Sequence, residues 1–460
     1  MTQRPAGAVH PGWRWGPFTA RLPLVHLRPE PPELIQGLLV GGATGLAVVP
    51  LYAEHFGMGF ETAIAFLVVQ TLWIAAAVQL FGDPFCPGWL TPALPLVLAE
   101  AARFNAGEAR TEFVNAVVLA TGLLFVALGA SGIGRLLMRR LPRAVKAAIV
   151  LGAGVSAVAG EFLPRSGGRP PRLEQYPWAI AAATLVTLAL LYAAPLESAR
   201  RRGWLGRVAA LGLAPGFILA LIVGPLAGEW DYGAFLAYAG PLLAWPDFGG
   251  LAAEFSVLGR GLPPAEMFLQ AAPLALAAYV IGFSDMVTGT AIVAEATPHR
   301  PDERVPFDER RTHLSVGLRN VGVALTGGPF FPLQGPLWAG AMVVVAERYR
   351  RGRAAMDSLF SGVASYYLFG LPLVYFIRPL LEFLRPALDV AFSLTLLLTG
   401  YACASAAMGM VRERSERGVA FLGAMTIVYA SLWAGLLAAL ALTALLIGSS
   451  AWRSADADAD

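Results

Sequence analysis

Gly82-Asp83-Pro84-Phe85-Cys86-Pro87 in the first half of the chain and Gly327-Gly328-Pro329-Phe330-Phe331-Pro332 in the second share one pattern, Gly-x-Pro-Phe-x-Pro. Gly88-Trp89-Leu90-Thr91-Pro92 follows the first copy, and Leu333-Gln334-Gly335-Pro336 follows the second. Two prolines three apart remove two backbone donors and force extended geometry. Such a backbone cannot face lipid, because its carbonyls would go unsatisfied. It belongs inside protein or along a wet cavity. Helices over Thr91–Ala99 and Pro336–Val345 are expected next, each with Pro in its first turn. Their free N–H groups would point to the protein centre as an anion site. Paired Gly/Pro-interrupted segments in two halves point to a transporter binding site.

The rest of the chain supplies the membrane around these stretches. Of 460 residues 57% are hydrophobic and 14% charged, far below the roughly 25% charged of soluble domains. Apolar runs of spanning length lie near 33–53, 60–81, 113–133, 143–162, 176–195 and 206–227. Others lie near 266–293, 355–378, 387–411 and 417–449, the last long enough for two short spans. Three runs read as broken: 84–102, 313–328 and 331–347. The fold class is therefore an all-α polytopic membrane protein of about fourteen segments in two halves of about seven. Each proline motif is third in its half, and an odd number of spans per half inverts the second copy.

Basic clusters give the orientation. Arg135, Arg139, Arg140, Arg143 and Lys146; Arg200, Arg201, Arg202 and Arg207; Arg348, Arg350, Arg351 and Arg353; and Arg412, Arg414 and Arg417 all fall inside when the N-terminus is inside. Glu229, Asp231, Asp247, Glu254 and Glu266, against Arg260, fall outside. A bacterial inner (plasma) membrane protein with both termini cytoplasmic is expected. The expected units are a cytoplasmic tail at 1–31, a first repeat at 32–227, an interfacial linker at 228–262, a second, inverted repeat at 263–449 and a tail at 450–460. No cleavable signal peptide is expected in 1–31, where Trp13 and Trp15 read as interfacial anchors. The tail acids Asp456, Asp458 and Asp460 read as disordered, and loop 299–311 is mixed in sign.

Asp285 sits in the apolar run Ile281-Gly282-Phe283-Ser284-Asp285-Met286-Val287-Thr288-Gly289-Thr290. An ionisable group at such depth is expensive and usually functional. Ser284, Thr288 and Thr290 would add oxygen ligands for Na⁺; alternatively Asp285 carries H⁺. A structural pair of Asp285 with Arg319, in Gly317-Leu318-Arg319-Asn320, is the competing reading. Phe85, Cys86, Trp89, Thr91, Phe330, Phe331, Gln334, Gly335 and Tyr52 are the candidate substrate residues. The aromatics would stack a planar solute or simply pack. Gln36, Thr44 and Tyr52 lie along the first span, with Glu54 and His55 expected to be solvated at its outer end. Glu347 reads as an interfacial charge beside Arg348 and Arg350.

No phosphate loop, His-Glu-x-x-His, nucleophile elbow or metal-spaced Cys pair occurs, so neither an enzyme nor a bound cofactor is expected. The two cysteines, Cys86 and Cys403, give no disulfide framework. The charges lie in short clusters between apolar runs, which argues against a nucleic-acid partner. The expected partners are a small-molecule substrate, the bilayer and Na⁺ or H⁺ as coupling ion.

The chain resembles the seven-plus-seven inverted-repeat transporters that include the nucleobase–ascorbate permeases, such as uracil permease, and the sulfate permease family. The resemblance rests on Gly42-Ala43-Thr44-Gly45-Leu46-Ala47-Val48-Val49-Pro50, the segment from Pro84, the Asp285 segment, and Gly317-Leu318-Arg319-Asn320 running into Gly327-Gly328-Pro329. It covers most of 32–449 through loose motifs. It implies that the third and tenth segments meet end to end around the substrate, with the first and eighth beside them. It also implies a core domain sliding against a gate domain in an elevator mechanism, and a homodimer. The sequence departs from both families. Ile281 stands where nucleobase permeases carry a Glu, and the tenth segment reads Gln334-Gly335-Pro336-Leu337-Trp338 without their Glu or Gln followed by Asn. Sulfate permeases often keep a basic residue in that segment and add a cytoplasmic domain; neither is read here. The expected function is cation symport of a small anionic or polar solute, such as an inorganic oxyanion, bicarbonate or a carboxylate. A nucleobase permease is the alternative, and a channel or uncoupled facilitator the second alternative.

Overall fold

Long apolar runs make long helices, Ala265–Ala296 even with Pro273 inside it. In the computed structural model, which describes residues 5–164, 169–196, 198–199, 204–209, 211–243, 245–448 and 451–452, the chain is mostly helical. Among the described residues five helical stretches are long and apolar enough to cross a membrane: Phe60–Gln79, Glu108–Ser131, Arg143–Gly160, Ala265–His299 and Arg378–Met410. Shorter apolar helices span Thr91–Ala101, Pro177–Tyr192, Ala214–Leu226 and Leu432–Leu446. Arg200, Arg201, Arg202, Asp456, Asp458 and Asp460 lie outside the described residues.

The first span is not the continuous helix expected over 33–53. It runs as a helix over Pro31–Gln36, a π turn over Gly37–Gly41, a turn of helix over Gly42–Leu46 and a new helix over Val49–Phe56. Pro50 starts the last piece, since it cannot continue the one before. The glycines admit a neighbour. A Cβ on Gly37 would sit 2.0 Å from the carbonyl oxygen of Tyr366, and one on Gly45 2.1 Å from the Tyr375 hydroxyl.

Residues 313–328, expected to be broken, form one helix over Glu309–Thr326. Asp308 caps it by accepting from the Arg311 amide at 3.2 Å. Its glycines permit close helix packing rather than a break. A Cβ on Gly317 would meet Val126 at 2.6 Å and one on Gly322 would meet Trp73 at 2.3 Å, while Gly122 returns the contact against Val321 at 2.8 Å.

The helices pack as two groups. Phe60–Gln79, Glu108–Ser131, Ala265–Ala296 and Glu309–Thr326 form one. Arg143–Gly160 packs on Leu388–Met410 and Arg414–Tyr429, and Pro177–Tyr192 on Ala214–Leu226, to form the other. Small residues again set the spacing: a Cβ on Gly154 would lie 2.8 Å from Cys403. Residues 228–262 carry short helices over Gly233–Leu236, Phe248–Glu254 and Val257–Arg260.

The N-terminal segment is folded onto the molecule. Ala8–Val9 pairs in parallel with Glu303–Arg304, and Trp13–Trp15 forms a hairpin with Phe18–Ala20. Trp15 donates its indole N–H to Leu80 at 2.7 Å, so its anchor is a backbone carbonyl. Arg21, buried over the Phe360 ring at 3.8 Å, has its pKa lowered by burial to about 10. The same end holds Arg300, Glu303, Glu30 and Asp357.

Glu54 and His55 are not solvated. His55 is buried with Nδ1 3.0 Å from an Arg110 guanidinium nitrogen. Glu54 is met by Arg169 at 3.2 Å and Arg172 at 3.6 Å, and Arg172 also reaches Glu161 at 3.6 Å and Asp389 at 3.0 Å. Buried carboxylates need such partners.

Candidate substrate site

The two proline motifs meet. Gly88 pairs with Gly335 and Trp89 with Gln334 in an antiparallel ladder. Leu90 donates to Leu333 O at 3.1 Å, and Trp338 donates to Cys86 O at 2.7 Å. Each extended stretch thus supplies the partner groups its prolines deny it internally. Gly82 (φ 74°) and Gly328 (φ 100°) make the turns that lead in. A Cβ on Gly88 would stand 2.7 Å from that of Trp338, so the contact requires glycine.

A polar lattice fixes the ladder from behind. Asn320 accepts from the Gln334 amide and donates to its carbonyl, both at 2.9 Å. Arg319 donates to Gln334 Oε1 and to Gly335 O, each at 2.9 Å. Gln334 Nε2 donates to Gln70 O at 3.1 Å, and Gln70 Oε1 accepts from the Trp89 indole at 3.0 Å. Tyr367 donates its hydroxyl to Pro87 O. Gln70 and Tyr367 were missed in the sequence; the available signal was a lone amide and a phenol inside apolar runs.

A cavity of about 1740 Å³ ends on this ladder. Gly88, Trp89 and Thr91 line it from the first half, and Trp338, Ala339, Gly340 and Ala341 from the second. Thr44, Gly45, Gln70, Tyr366 and Tyr367 continue the wall on one side; Tyr192, Leu213, Thr395 and Thr399 face them. Glu33, Glu347, Arg348 and Arg351 stand at one end.

The two helix starts are unequal. Ala339–Arg350 begins three residues later than expected, because the Trp338 amide is taken by Cys86 and Pro336 stays outside the helix. Met342 is the first amide to bond back, to Trp338 O at 2.9 Å. Ala339, Gly340 and Ala341 therefore present first-turn N–H groups beside the cavity. On the other side Pro92 and Pro95 have no N–H, Ala93 bonds to Leu90 O and Leu94 to Thr91 O. Thr91 alone offers an amide and a hydroxyl there. Free N–H groups are expected from the sequence at both starts; the second presents three and the first that of Thr91.

Of the candidate substrate residues, Trp89 and Thr91 line the cavity. Phe85 packs on Phe307 at 5.5 Å, and Cys86 contributes its backbone. Phe330 lies against Phe66 and Trp89. Phe331 stacks on Phe56 at 4.6 Å, with Tyr52 at 6.0 Å. Gln334 and Gly335 sit in the ladder rather than on its wet face.

Asp285 lies in Ala265–Ala296 and makes no hydrogen bond or ion pair among the described residues. It is not paired with Arg319. Ser284, Thr288 and Thr290 donate to the carbonyls of Val280, Ser284 and Met286 on their own helix, at 3.1, 3.0 and 2.8 Å. Thr290, five residues on, lies on another face.

No protein-family model matches the sequence, and no curated protein matches it. Solved structures do. The transmembrane domain of a cyanobacterium bicarbonate transporter, BicA, is 18% identical, with a TM-score of 0.48 over 88% of this chain and 97% of that one. SLC26A9 is 12% identical, with a TM-score of 0.52 over 90% of this chain and 64% of that one. Murine Slc26a9, described as an anion transporter in the inward-facing state, gives 12%, 0.51, 90% and 68%. The chain thus spans about two thirds of the SLC26A9 length. Matched over nine tenths of its residues, the chain has the fold of the membrane protein SLC26A9.

Proposed function

We propose that the chain is a secondary active transporter that carries a small anion, such as an inorganic oxyanion, bicarbonate or a small carboxylate, in symport with a cation. One observation carries this: the cavity ends at the first-turn amides of Ala339, Gly340 and Ala341. A helix N-terminus with unbonded amides in a low-dielectric pocket favours an anion. Agreement comes from the shared fold with a protein described as an anion transporter.

The mechanism proposed is an elevator of fourteen segments in two inverted repeats. The helix group carrying the ladder is the moving core, and the group around Arg143–Gly160 and Leu388–Met410 is the gate. The cavity's Arg348 and Arg351 end is then cytoplasmic, and the Glu54–Arg172 cluster closes the outer side. Asp285 is the proposed coupling carboxyl. Its neighbouring hydroxyls are already donating to their own helix, which favours H⁺ over Na⁺, since a proton needs no ligand set.

A nucleobase reading draws support from Trp89, Trp338 and Tyr366 in the wall. Against it, both ends of Gln334 and of Asn320, the amides able to read a base edge, are engaged within the protein. Uptake into proteoliposomes, with Na⁺ and pH gradients imposed separately, decides. Competition by sulfate, bicarbonate or small carboxylates is expected; competition by uracil or xanthine alone would overturn the anion assignment.

A further inference from the structure

We propose that Arg319 sets the charge preference of the site from behind the ladder, with Gln334 as its positioning residue. This rests on the anion reading above and names the group that supplies the field.

The guanidinium of Arg319 is fully buried in the middle of Glu309–Thr326. Its two terminal nitrogens donate only to neutral oxygens, Gln334 Oε1 and Gly335 O, and its Nε has no partner. No carboxylate among the described residues comes within ion-pair distance of it. Asp83 is the carboxylate within electrostatic reach. Arg311 at 3.5 Å and Thr312 at 2.8 Å already hold Asp83. Asp83, Arg311 and Arg319 together leave one positive charge inside the protein.

That charge stands one layer from the cavity. Gly335, which accepts from Arg319, pairs with Gly88 of the cavity wall. Tyr367 of the same wall lies within its electrostatic reach. A buried cation held by dipoles alone is costly. A solute anion settling at Thr91 and Ala339–Ala341 supplies the missing countercharge. The arrangement also accounts for a tenth segment with no basic residue near its start. The charge comes from the preceding helix, and Gln334 hands it to the ladder.

A purely structural Arg319 would only pin the strand, so the test separates charge from hydrogen bonding. Gln334→Glu keeps the side-chain shape, faces Arg319 with a carboxylate and cancels its field. Gln334→Met removes both side-chain bonds, the one from Arg319 and the one to Gln70 O, without adding charge, whereas Gln334→Glu loses only the latter. In proteoliposomes of purified protein, with bicarbonate and sulfate as probes, Gln334→Glu is expected to raise the half-saturating concentration on the order of 10-fold. Gln334→Met should raise it about threefold at most, and Arg319→Lys should retain anion uptake. Equal half-saturation in Gln334→Glu and wild type would overturn the role of Arg319 and leave the anion reading standing. Wild-type protein that takes up neither probe would overturn both.

Discussion

Arg172 Nη2 lies 3.6 Å from Glu54 Oε2, joining Val49–Phe56 of the first span to the second helix group. The same guanidinium serves Glu161 and Asp389 and rests 4.9 Å from the Phe392 ring centroid. One guanidinium thus bridges carboxylates from three parts of the chain. If the two groups move against each other, this cluster must part. Arg172→Gln strands buried carboxylates and should cost about 3–5 kcal/mol of the closed form. A Thr91→Cys probe should then label faster from outside, over little background, because Cys86 and Cys403 are buried. Unchanged labelling would remove the cluster's role as an outer latch.

The amides at the start of Ala339–Arg350 can be deleted one at a time. Proline is tolerated in a first helical turn and brings no N–H. Ala339→Pro should preserve the thermal midpoint and raise the half-saturating anion concentration about 10-fold, the worth of one charge-assisted hydrogen bond. Unaltered anion affinity in a folded Ala339→Pro protein would move the binding site elsewhere.

Gly88 stands where a strand of the first half touches Trp338 of the second. Gly88→Val would push a side chain into Trp338 and part the ladder, at about 1–3 kcal/mol. Uptake should be lost while membrane insertion survives; a Gly88→Val protein with normal transport would show the ladder to be dispensable.

Asn320→Leu leaves the amide and carbonyl of Gln334 without their partner. Each buried orphan costs about 1–3 kcal/mol. Melting in detergent should fall by several degrees, and Asn320→Asp, which still accepts from the amide, should fall less.

Asp285→Asn should abolish gradient-driven uptake and spare exchange of substrate across the bilayer. Concentrative uptake at the wild-type rate in Asp285→Asn would remove the coupling role.

Local backbone chemistry explains why the extended stretches, though not their pairing, could be read in advance. Proline and glycine act on their own residues, so Gly-x-Pro-Phe-x-Pro announces extended strands without reference to anything distant. Glycine in Glu309–Thr326 misled for the opposite reason: there it serves a contact with Gly122 on another helix. The Gln70–Gln334 bond and the Arg172 cluster were unreadable because each joins residues far apart in the chain. Pro336 misled by three residues, since the Trp338 amide that would have extended the helix was claimed by the opposite half.

The pairing of Ala8–Val9 with Glu303–Arg304 has a consequence for biogenesis. During synthesis the opening residues are made first yet have no seat until the ribosome has passed residue 304. They must wait through most of translation and then strap helices from both halves at one end. A tag or shortening at the start of the chain should therefore disturb the last step of assembly rather than the first.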